Sequence, residues 1–107
     1  MIYEIESIRI DGQNYAIKWL DYPDITPSCA GEVCYQKQTI SIYKTQESQD
    51  IQTLLHESVH IVNENRLGGK LNEAEIETLS NGITQILLDN QDMTMQMAMQ
   101  GVEFEEE

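Results

Sequence analysis

The spacing of apolar residues changes once along this chain, and the change sets the fold class. Up to Tyr43 apolar and polar residues alternate. In SIRIDGQNYAIKWL, Ile8 and Ile10 flank Arg9, Asp11-Gly12 signals a turn, and Tyr15, Ile17 and Trp19 alternate again. That pattern predicts a β-hairpin with a short loop. VCYQKQTISIY predicts a second hairpin that turns near Gln36-Lys37. Ile40 and Ile42 would share one face of it, and Thr39, Ser41 and Tyr43 the other. From Ile51 onward the spacing becomes helical. Ile51, Leu55, Val59 and Val62 follow Ser48, a candidate N-cap, and Leu67-Gly68-Gly69 ends the run. Asn72 is placed to cap a second helix, with Glu75 three residues on completing a capping-box pattern. Ile76, Leu79, Ile83, Ile86 and Leu87 would form its apolar stripe.

The expectation is a single α+β domain with strands within residues 2–20 and 33–44, helices over 48–66 and 73–90, and a tail over 91–107. DYPDITPSCAGE, with both prolines, reads as the loop between the hairpins. In the tail, MTMQMAMQ sets methionines at 93, 95, 97 and 99. Period two suggests an added strand, and the run also suits a frayed helix; Met-rich surfaces make adaptable contacts.

A chain of 107 residues can bury a modest core without disulfide staples. Cys29 and Cys34 are expected to be free thiols, since their spacing is not that of a zinc knuckle and no second pair exists. The formal charge of −13, from 19 acidic and 6 basic residues, repels phosphate backbones and argues against direct nucleic-acid binding. A basic protein partner or substrate suits it better. Part of the excess is the terminal EFEEE, a solvated end. No apolar run approaches the roughly 20 residues of a membrane span. MIYEIESIRI lacks the basic and long apolar regions of a signal peptide, so the expected location is cytoplasmic.

Both histidines of the chain lie in HESVH, at positions 56 and 60. Four residues on a helix return to nearly the same face, so both imidazoles can reach one metal ion. Glu57, next in sequence, cannot easily join them as a ligand, but it can act as general base toward an attacking water. Leu54, Leu55, Ile61 and Val62 give the motif an apolar setting. With no third histidine, the remaining ligand should be a carboxylate from Glu73, Glu75 or Glu77. The helix dipole accounts for Glu73 and Glu75 in a first turn and accounts less well for Glu77. The helical wheel places Glu73 nearer the apolar stripe than Glu77. The residues alone leave these alternatives open.

LLHESVHIVNEN followed by EIETLSNGITQIL resembles the ImmA/IrrE-type family of small zinc metallopeptidases, especially compact phage-encoded members. The resemblance spans roughly residues 38 to 90. It implies a minimal, gluzincin-like zincin: a small twisted, antiparallel-rich sheet of two hairpins packed on an active-site helix and a second ligand-bearing helix. It implies one Zn²⁺ per chain held by His56, His60 and Glu77, with Glu57 as catalytic base. Glu77-Thr78-Leu79-Ser80-Asn81 matches the family's E-x-x-small-N pattern, while Glu73 and Glu75 do not. The implied activity is hydrolysis of an intracellular protein, often a DNA-binding regulator. The strand near Thr39 to Tyr43 would edge the cleft and pair with extended substrate. Tyr43 or Tyr35 would stabilise an oxyanion, or serve as an ordinary strand aromatic. Larger members carry N-terminal helices where this chain has two hairpins. Two rival readings are a non-catalytic zinc-stapled binding module, which uses the acidic surface and Met-rich tail, and a helical interaction protein without metal. A His₂-carboxylate set also suits iron(II).

Overall fold

The computed structural model describes residues 1–23 and 29–100. The EFEEE end and the centre of the DYPDITPSCAGE loop lie outside those residues. Four strands are present: β1 (Ser7–Ile10), β2 (Gln13–Leu20), β3 (Gly31–Cys34) and β4 (Thr39–Tyr43). Three helices follow them: α1 (Glu47–Leu67), α2 (Glu73–Asp89) and α3 (Gln91–Met99). A short 3₁₀ turn over Ile2–Glu4 precedes β1. The fold is α+β, with a mixed sheet. Among the described residues no helix is long and apolar enough to cross a membrane.

Both hairpins form as the alternation predicts. Asp11 and Gly12 take φ values of 50° and 79° in the two-residue turn between β1 and β2, the backbone that suits the right-handed strand twist. Gln38, with φ 51°, closes the turn into β4. The sheet order is β1-β2-β4-β3, so the hairpins meet through β2 and β4, which run parallel with Ala16 beside Thr39 and Leu20 beside Tyr43. An antiparallel-rich sheet was expected. Each hairpin satisfies that pattern locally, but the hairpins lie side by side in the same sense, so the central pair is parallel.

This order also moves the sheet edge. β4 is bonded on both sides, by β2 and β3, and cannot accept another strand along Thr39 to Tyr43. The free edge near the helices is β3. Tyr43 N–H donates to the Ala30 carbonyl at 3.0 Å, and Glu32 lies opposite Ser41. Antiparallel bonding alternates along a strand, so the amides and carbonyls of Gly31 and Val33 turn to the open edge.

One face of the sheet carries the core. Tyr15, Ile17, Ile40 and Ile42 pack with Ile10 beneath Leu54 and Ile61 of α1. The stripe Ile51, Leu55, Val59 and Val62 is only half-buried. The face turned to the sheet is Asp50, Leu54, Glu57 and Ile61, with Thr53 beside it. Nor does Ser48 cap α1: the N-cap is Gln46, which makes no side-chain cap bond. The buried Asp50 carboxylate serves this end instead. It accepts from the Thr45 amide at 2.9 Å, the Thr45 hydroxyl at 2.7 Å and the Tyr3 hydroxyl at 2.5 Å. The bond to Asp50 pushes the Tyr3 phenol up to about 12. Glu47 accepts from the Ile2 amide, so the chain start is tied to the helix start. Gly68 ends α1 in the left-handed conformation, with φ 61°.

Asn72 and Glu75 form the expected reciprocal cap of α2, at 2.8 and 2.9 Å. The expected stripe does not form the packed face. Ile76 is buried, but Leu79, Ile83 and Ile86 are exposed. The buried face of α2 is Ile76, Ser80 and Thr84. Small side chains let two helices approach closely, and these hydroxyls donate to their own helix: Thr84 to the Ser80 carbonyl, Ser80 to the Glu77 carbonyl. They can therefore be buried without outside partners. The methionine tail is neither strand nor fully frayed. Residues 91–99 are helical, and Met93, Met95, Met97 and Met99 are all exposed.

Candidate metal centre

The rotation of α2 governs the site. Glu73 and Glu77 share the helix side that carries Ser80 and Thr84, so both carboxylates face α1. His56 and His60 come from consecutive turns of α1, with ring centroids 5.0 Å apart. Nε2 of His56 lies 2.7 Å from Oε1 of Glu73, and Nε2 of His60 lies 3.0 Å from Oε2 of the same carboxylate. Glu77 approaches the other side of the His56 ring, with Oε2 2.7 Å from Nδ1. The resemblance put Glu77 with the two histidines and Glu73 outside. The structure brings Glu73 to both Nε2 atoms and Glu77 to Nδ1.

Each of His56, His60 and Glu73 offers one ligand atom, and these atoms all lie within 4.8 Å of one another. Ligand atoms around a tetrahedral zinc stand roughly 3.3 Å apart. The donor set, two imidazoles and one carboxylate, suits zinc and other borderline divalent ions. The residues present therefore fit a single ion.

Glu57 lies one residue on from His56 but points elsewhere. Its side chain turns to β3 and is 8% exposed. Burial pushes its carboxyl above the ordinary value of 4.5; the His60 and His56 imidazoles pull it down, and the Glu73 and Glu32 charges push it up again. A buried carboxyl beside a donor cluster is the arrangement from which general bases are made.

These groups line one cleft of about 640 Å³ between β3 and the α1–α2 pair. Gly31, Glu32 and Val33 form one wall; Thr53, Gln52 and the histidines form the other. Tyr35 also lines it. Partial burial pushes the Tyr35 phenol up, and Glu64 and Glu57 push it the same way, so its hydroxyl stays a donor. Tyr43 does not line the cleft. Its place on interior strand β4 turns it to Tyr22, ring edge to face at 6.5 Å.

Sequence reasoning missed Gly31. A Cβ there would stand 3.0 Å from Cγ2 of Thr53 and 3.1 Å from the Ser41 carbonyl. A glycine two positions before the strand expected from residue 33 was the available signal. It also missed Gln52, whose amide donates to Oδ1 of Asn81 on α2. Cys29 and Cys34 are free thiols, as expected. No family model, curated protein or solved structure matches the chain.

Proposed function

We propose that the protein is a zinc-dependent peptidase of minimal zincin type, acting on a protein substrate. One observation supports this above the others: two Nε2 atoms and a Glu73 carboxylate gather at one point while buried Glu57 faces the same cleft. His56, His60 and Glu73 would hold the ion. When bound, it would supply Lewis-acid polarisation of the scissile carbonyl. Glu57 takes the proton from the attacking water and passes it to the leaving amine. The outward amides and carbonyls of Gly31 and Val33 hold the substrate as an added strand. Glu32, Glu57, Glu73 and Glu77 make the cleft acidic, which favours a basic substrate such as a DNA-binding regulator.

A second reading draws support from a different observation. Leu79, Ile83 and Ile86 leave an apolar face on α2 that nothing in the chain covers among the described residues. Such a face suits a zinc-stapled binding module without turnover. Elemental analysis of protein purified without an affinity tag tests what both readings share. About one zinc per chain is expected, and a chain that takes up none at neutral pH removes both.

A further inference from the structure

His56 carries a carboxylate on each ring nitrogen, and the two carboxylates are not equivalent. Glu73 meets Nε2, the atom type that His60 also presents to it. Glu77 meets Nδ1 at 2.7 Å. The two nitrogens of an imidazole point apart. A carboxylate bonded to Nδ1 therefore stands behind the ring from an ion held at Nε2.

Glu77 is itself held. Asn81, one turn further along α2, donates from Nδ2 to Oε1 of Glu77 at 3.4 Å. Gln52, one turn before His56 on α1, donates from Nε2 to Oδ1 of Asn81. Gln52, Asn81, Glu77 and His56 thus form a relay that leaves α1, runs along α2 and returns to α1. Its last bond requires a proton on Nδ1, so Nε2 is the nitrogen that would offer its lone pair to an ion.

We propose that Glu77 is a positioning residue and not a metal ligand: it fixes the Nδ1–H form and the ring orientation of His56, while Asn81 and Gln52 hold its carboxylate. The inference rests on reading His56 and His60 as a metal pair. Outer carboxylates of this kind orient the ring and raise ligand basicity, and their loss weakens metal binding by about 10–100-fold.

The test is zinc competition against a chromogenic chelator, with ring ¹⁵N spectra of the same proteins. Glu77→Ala should weaken zinc binding by about 10–100-fold, and Asn81→Ala by less. Glu77→Gln should recover most of the loss, because its amide oxygen still accepts from Nδ1. Glu73→Ala and Glu73→Gln should both lose more than any of these. Equal, severe losses for Glu77→Ala and Glu77→Gln would make Glu77 a ligand and overturn the proposal, as would an unchanged Glu77→Ala. If the unsubstituted chain takes up no zinc, the metal reading fails, and the metal-free spectra decide the positioning role. A protected His56 Nδ1 proton present in the native chain and in Glu77→Gln but lost in Glu77→Ala sustains it. The same proton retained in Glu77→Ala removes it.

Discussion

Gly31 on the edge strand lies so close to Glu57 on α1 that a Cβ at position 31 would stand 3.5 Å from Cγ of Glu57. The glycine lets the strand that forms one wall of the cleft pack directly against the helix that carries the proposed base. Gly31→Ala should force Thr53 or the Ser41 carbonyl to move and cost about 1–3 kcal/mol. Urea denaturation would read this as a lower midpoint at unchanged slope. Gly31→Ala as stable as the native chain would mean that the close approach is not a constraint.

Glu57→Gln keeps the volume and removes the proposed base. Cleavage of a peptide library should fall by about 10²–10⁴-fold, while zinc uptake and melting temperature hold. Zinc affinity lost as severely as in His56→Ala would place Glu57 among the ligands and end its assignment as base.

Zinc should stabilise the fold, because a preformed site binds only the folded chain. A hundredfold excess over the dissociation constant is worth about 2.7 kcal/mol. The ligands bind deprotonated, so acid should erode this gain. A melting temperature that ignores both zinc and chelator would contradict the site.

Asp11 in the first hairpin turn meets Arg66 near the end of α1, with Oδ1 2.6 Å from Nη2. The Arg66 guanidinium holds the Asp11 carboxyl below its ordinary value of 3.8. A lowered folded-state value contributes stability above the unfolded value and loses it as pH falls through the folded one. Arg66→Gln should therefore cost up to about 1 kcal/mol at neutral pH, and the difference from the native chain should fade below about pH 4. A difference that persists at pH 2 would assign it to packing of the arginine stem.

The packed and exposed sides of the helices should separate cleanly. Ile61→Ala, at a site with 0% exposure, should cost about 2–5 kcal/mol. Leu79→Ala, on the open face of α2, should stay within about 0.5 kcal/mol. Comparable losses would show that the α2 face is covered in solution.

Most local signals in the sequence were reliable, although Ser48 does not cap α1. Asp11-Gly12, Gly68 and the Asn72–Glu75 pair each dictate backbone geometry within a few residues, and each does so in the structure. The two histidines were legible for the same reason, since four-residue spacing alone puts them on one face. Long-range choices were not legible. Either pairing of the hairpins satisfies the same alternation, so the parallel contact of β2 with β4 left no mark. α2 was read with the wrong side inward because Ser80 and Thr84 satisfy their hydroxyls within the helix and look like surface residues, while Leu79 and Ile83 look like core. That rotation determines which carboxylates face α1. Asp50 was hidden likewise, as an acid buried among its own donors.

The parallel contact also bears on how the chain folds. The hairpins close through tight turns, and α1 and α2 join through a short glycine-rich link. Those events are local and fast. Pairing Ala16 with Thr39 is different, because a long stretch of chain must first lose its freedom before any contact rewards it. Ile17 and Ile40 sit side by side in that ladder. The joining of two ready-made hairpins is therefore the step expected to limit folding, and chevron kinetics should show substitutions at this pair slowing folding where those on α2 hasten unfolding.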